Sequence, residues 1–78
     1  MTVLHDRLWH YRTRIDADEV DVDLTASERE DVSRLLDVAI QILHQFGGTP
    51  AVNLVRMCHD ESVTSRVNER VAKIITEA

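Results

Sequence analysis

The stretch TASEREDVSRLLDVAIQILHQFGG, residues 25–48, decides the fold, because both of its ends are marked and its interior repeats at helical spacing. Thr25 with Glu28, and Ser27 with Glu30, each fit a capping box. In that motif a hydroxyl accepts from the backbone N–H three residues on and the acid bonds back. Acids in the first turn suit the positive end of the helix dipole. At the other end Phe46-Gly47-Gly48 is a stop, with Gly47 suited to the left-handed residue that follows a last turn. The helix so bounded, residues 26–46, is about 20 residues and roughly 30 Å long at 1.5 Å per residue.

Its first half is charged, whereas its second half is apolar on most sides. Val32, Leu36, Ala39, Leu43 and Phe46 form one stripe at steps of four, three, four and three, and Leu35, Val38 and Ile42 form a second. A helix apolar nearly all round is either central to its own fold or covered by another chain. The second alternative makes Leu35, Val38 and Ile42 a candidate homodimer interface.

Working outward, Leu4, Leu8, Tyr11 and Ile15 share one face, which predicts a helix over 3–15 that Thr2 could cap. Thr49-Pro50 predicts a restart, Thr49 as N-cap and Pro50 at the first helical position. The helix over 50–59 then turns Ala51, Leu54, Val55 and Cys58 inward. A last helix over 62–77, capped by Asp60 or Ser62, carries Val63, Val67, Val71, Ile74, Ile75 and Ala78 on its apolar face. Between the first two helices lies DADEVDVDL, residues 16–24. Val20, Val22 and Leu24 alternate there with acids, which is strand periodicity. With no second strand to pair with, the segment reads as an extended acidic linker that tucks its three apolar residues against the helices. The expectation is an all-α domain over 1–78, a small bundle of three to four helices joined by short turns.

Composition narrows the function. The chain has 78 residues and a net charge of −5. Eight of the fourteen acids fall in residues 16–31, where only Arg29 offsets them. That balance argues against general binding to a nucleic-acid backbone, which requires positive charge. One cysteine cannot form an internal disulfide, and no signal peptide or apolar run of membrane-spanning length is visible, so a cytoplasmic location is expected.

The most chemical-looking stretch is RMCHDES, residues 56–62. Adjacent helical residues point about 100° apart, so Cys58 and His59 do not form a nucleophile–base pair. Cys58 falls on the buried face, and the stretch reads as a corner between helices. His5, His10, His44 and His59 lack the spacing of a zinc site. An EF-hand register from Asp16 places Asp21 where glycine is needed and Ser27 where the bidentate glutamate is needed. No cofactor or metal is expected, and no enzyme activity.

Two features suit a protein partner. Trp9 lies off the apolar face of its helix beside Arg12, a residue pair typical of interface anchors. Asp18, Glu19, Asp21 and Asp23 could present an electronegative patch to a basic surface. The first expectation is therefore a small non-enzymatic protein that regulates or inhibits a partner by binding its surface, as a homodimer. The alternative is a DNA-binding regulator using Arg66, Arg70 and Lys73, one basic stripe on the last helix.

Overall fold

A computed structural model describes residues 3–77. Four helices follow one another: α1 (Val3–Asp16), α2 (Ala26–Phe46), α3 (Ala51–Cys58) and α4 (Ser65–Glu77). No strand occurs among the described residues, so the all-α bundle stands. The Thr2 cap and the place of Ala78 on the last apolar face lie outside the described residues.

α2 packs against each of the other three helices, and α4 also touches α1 and α3. Most of the apolar circumference of α2 is thus covered within the chain. Val32, Leu35, Leu36, Ala39, Ile40 and Leu43 are all buried, joined by Leu8 and Ile15 of α1, Leu54 and Cys58 of α3, and Val67, Val71, Ile74 and Ile75 of α4. The faces expected of the other helices hold, with Leu4, Tyr11, Ala51, Val55 and Val63 partly buried at the core's edge.

Polar contacts set the register of α1 against α2. Ser33 Oγ donates to Asp16 Oδ1 at 2.9 Å, and Arg12 Nη1 stands 3.6 Å from Asp37 Oδ1. The two helices therefore run antiparallel, which brings the start of α1 to the end of α2.

Thr25, not Ser27, caps α2: its Oγ1 accepts from Glu28 N–H at 3.1 Å while Thr25 N–H donates to Glu28 Oε1 at 3.0 Å. Gly47 ends the helix at φ 66, ψ −137, a conformation that only glycine adopts without strain, and its N–H donates to the Leu43 carbonyl. Two other caps differ from the expected ones. Pro50 sits one position earlier than expected, with its carbonyl accepting the first helical bond from Leu54 N–H at 3.0 Å, and no side chain caps α3. α4 starts at Ser65 rather than 62, because Thr64 Oγ1 accepts from Val67 N–H. Asp60 builds the preceding turn instead, accepting from Ser62 N–H at 2.9 Å and Ser62 Oγ at 2.6 Å. Asn68 of α4 clamps that turn, donating to the Asp60 carbonyl and accepting from its N–H.

The acidic segment is folded rather than extended. Asp18 N–H donates to the Ile15 carbonyl and Glu19 N–H to that of Arg14, the paired bonds of a Schellman ending, with Asp18 at φ 59 in the left-handed position. Aspartate tolerates that region better than most residues. Asp21, at φ 56, opens a second turn that Leu24 N–H closes onto the Asp21 carbonyl at 3.0 Å. These turns bury Leu24 and partly bury Val20, but they leave Val22 pointing to solvent.

The cap assignment is testable by chemical denaturation. Thr25→Ala should lower unfolding free energy by about 1 kcal/mol, the usual cost of a lost N-cap, whereas Ser27→Ala should stay within about 0.5 kcal/mol.

Candidate functional site

The expected site residues fall into two groups in space. The acids of the linker and the bases of α4, separated by more than forty residues in sequence, meet each other. Arg70 Nη1 bonds Asp21 Oδ1, and its Nη2 bonds Asp23 Oδ2 at 2.7 Å. Arg66 Nη2 donates to the Asp23 carbonyl at 2.8 Å, and its Nε lies 3.6 Å from Glu28 Oε2. On the far side of Asp21, the Tyr11 hydroxyl donates to Oδ2 at 2.8 Å. Asp18 pairs with Arg29 of α2. The Asp21 carboxylate, only 5% exposed, sits at the inner end of a knot that joins α1, the linker and α4, while Asp23 and Arg66 on its outer side stay open to solvent.

Both charged segments are thus engaged with each other or with α2 inside the chain. Asp18, Asp21 and Asp23 are turned to partners within the chain, and of the four acids singled out only Glu19 makes no ion pair among the described residues. Likewise Arg66 and Arg70 are already occupied, which leaves Lys73 as the one unpaired member of the basic stripe among the described residues. Asp21 and Asp23 are the linker acids that Arg66 and Arg70 of α4 offset.

The knot shifts the groups within it. Burial pushes the Tyr11 phenol from its usual 10.0 up to about 12, helped by its hydrogen bond to Asp21 and by that carboxylate's charge. The bonds from Arg70 hold Asp23 below the usual carboxylate range and raise Arg70 itself. Glu28 is held low chiefly by the Thr25 backbone N–H, and Asp60 by its bonds from Ser62. Groups with lowered folded values stabilise the protein above their unfolded values, and that contribution is lost as pH falls through the folded ones. Stability should therefore decline below about pH 4. Tyr11 has the opposite sign: its contribution is complete below pH 10.0 and is lost as pH rises toward about 12.

Trp9 forms the second group. It is 50% exposed, and the guanidinium of Arg12 lies over its ring, 5.7 Å from the centroid. Asp37 of α2 holds that guanidinium at 3.6 Å. A cation over indole contributes about 0.5–1 kcal/mol at an exposed site and, more usefully, restricts the ring's orientation.

The proposed dimer residues do not share a surface. Leu35 is 4% exposed within the chain's own core, Ile42 is partly buried, and only Val38 reaches solvent. Phe46 departs further from expectation. It is 66% exposed, and with Pro50, Asn53, Arg56 and Met57 it lines an open groove where α2 turns into α3. Its place at the end of the apolar stripe predicted burial, but the glycines that follow carry the chain away before anything covers the ring. Met57 is 52% exposed, and a lone methionine off a helix's apolar face gives no signal of that in the sequence.

Cys58 is buried as expected, and burial pushes its thiol up to about 11, so it carries no thiolate near neutral pH. No group of three or more His, Cys, Asp or Glu side chains suited to a metal ion occurs among the described residues. None of the described helices is long and apolar enough to cross a membrane. Compared with known proteins, the chain matches no family model, no curated protein sequence and no solved structure.

Tyr11 is the chain's one tyrosine, which makes the knot directly observable. Absorbance titration of the native protein should place its phenol near 12, against about 10 in urea, and Asp21→Asn should lower the native value only in part, since burial is the larger cause and remains. An unchanged value in Asp21→Asn would mean that Tyr11 and Asp21 are not bonded.

Proposed function

We propose that this is a small non-catalytic interaction module that regulates or inhibits another protein by occupying its surface, with Trp9 as the anchor. The supporting observation is the indole itself, half exposed and fixed under Arg12, which Asp37 holds in turn. Tryptophan and arginine are over-represented among the residues whose loss weakens interfaces most. An aromatic whose orientation is already restricted gives up little freedom on binding. A location in a reducing compartment, the cytoplasm, fits the free and buried Cys58. With Asp18, Asp21 and Asp23 paired internally, recognition rests on the α1 face rather than on the acidic segment.

Tagged protein and its Trp9→Ala variant, each used to capture partners from the native host, test this. A protein retained by the former and lost at least tenfold from the latter is expected, with helical circular dichroism unchanged. Equal retention by both forms would overturn the role of Trp9.

Self-association is the second part of the proposal, and its surface moves from Leu35 to the corner of α2 and α3. A chain this short buries about 60% of the surface that it exposes when unfolded, so covering Phe46 and Met57 against a second copy would add apolar burial. Sedimentation equilibrium at micromolar concentration should show a dimer that Phe46→Lys dissociates, and a monomer under all conditions would refute it.

A further inference from the structure

Nine lysine and arginine side chains serve fourteen acids in this chain, so every cation could have a partner. Four of them nonetheless make no ion pair among the described residues: Arg7, Arg14, Arg56 and Lys73. Three of these four gather along the seam between α1 and α4. Arg7 and Lys73 face one cleft of about 410 Å³ from opposite helices. Arg7 and Tyr11 are shared with an adjoining groove that Arg14 and His10 complete.

The cleft has a built interior. Ile74, which is 6% exposed, and Tyr11 supply apolar lining. Arg70 and Asp21 close one part of the wall, but they are already bonded to each other and so add little net charge. Glu77 also lines it and opposes an anion, so Arg7 and Lys73 against Glu77 leave a net formal charge of +1, and Arg14 beside it brings this to +2. The lining thus carries a local excess of cationic groups on a chain of net charge −5. A concave, partly apolar site of a few hundred Å³ with a few convergent polar groups is the usual form of a small-molecule pocket.

We propose that the α1–α4 cleft binds a small organic anion, an apolar body bearing one phosphate or carboxylate head. The body lies along Tyr11 and Ile74, and the head is held between Arg7 and Lys73. Long flexible cations on facing helices can close on either head group, arginine by its planar fork and lysine as a point charge. The site is separate from the Trp9 surface, so its occupancy does not depend on the interaction proposed above.

Titrating ¹⁵N-labelled protein with phenyl phosphate, benzoate and inorganic phosphate tests this. Phenyl phosphate or benzoate, whichever head the site accepts, should produce saturable amide shifts confined to α1 and α4. Arg7→Glu and Lys73→Glu should each weaken binding by about tenfold, the scale of one lost charge-assisted bond. Arg56→Glu, an equal change of net charge at an unpaired arginine lining the Phe46 groove, should leave it unchanged. Three outcomes would overturn the proposal: no saturable shift with either organic probe, equal weakening by Arg56→Glu, or inorganic phosphate matching the organic probes, which would mean an adventitious ion only.

Discussion

Helix α2 is apolar around more of its circumference than any one neighbour can cover, and the rest of the chain is arranged around that fact. α1, α3 and α4 each pack against it, and six of its side chains are buried. Because α2 is flanked on several sides, its neighbours meet one another only along seams, and the polar contacts collect in those seams. Arg12 with Asp37 and Ser33 with Asp16 mark the seam of α1 and α2, and Arg34 with Asp60 ties α2 to the turn before α4. Hydrophobic burial therefore chooses the helix neighbours, while the directional contacts fix how far each helix slides along α2.

The same constraint explains why the acidic segment is not a free surface. A chain leaving α1 at Asp16 must turn back within nine residues to enter α2 at Ala26. Two left-handed aspartates, Asp18 and Asp21, make the reversal possible. Once reversed, the segment lies against α4, where Arg66 and Arg70 stand. A carboxylate as buried as that of Asp21 is strongly unfavourable without a cation and a donor beside it, and Arg70 and Tyr11 provide both. Loss of either partner would leave the charge behind, so the knot acts as a requirement on the fold more than as a source of stability.

Much of this was legible in the residues and some was not, for identifiable reasons. Period and punctuation carry local information, so the four helices, the Thr25–Glu28 box, the Gly47 stop and the inward face of Cys58 could all be read from spacing. The sequence RMCHDES contains the groups of a reactive site, yet helical register turns the thiol into the core, and Asp60 becomes a turn-builder rather than a cap. What spacing could not supply were contacts between distant residues. Asp21 and Arg70 are 49 positions apart, and nothing in either neighbourhood marks the other. Alternation of valines with acids in DADEVDVDL looked extended because period two is also what a pair of turns produces when one valine is discarded to solvent, as Val22 is.

That internal pairing also determines which charged side chains are left without a partner in the chain among the described residues. A charged residue whose partner lies within the chain must break one interaction to form another, so it adds little net affinity. Asp21, Asp23, Arg66 and Arg70 are in that position, and they account for most of the charge that composition alone would assign to recognition. Three sets of exposed or unpaired side chains stand apart from that network: Trp9 on the α1 face, Phe46 and Met57 at the α2–α3 corner, and Arg7 and Lys73 across the α1–α4 cleft. Each set differs in chemistry from the others: an oriented indole, a bare apolar corner, and a cationic cleft with an apolar lining. In a bundle of this size the charges that tie the segments together, Asp21, Asp23, Arg66 and Arg70, are thus distinct from Arg7 and Lys73, which face the α1–α4 cleft with Glu77.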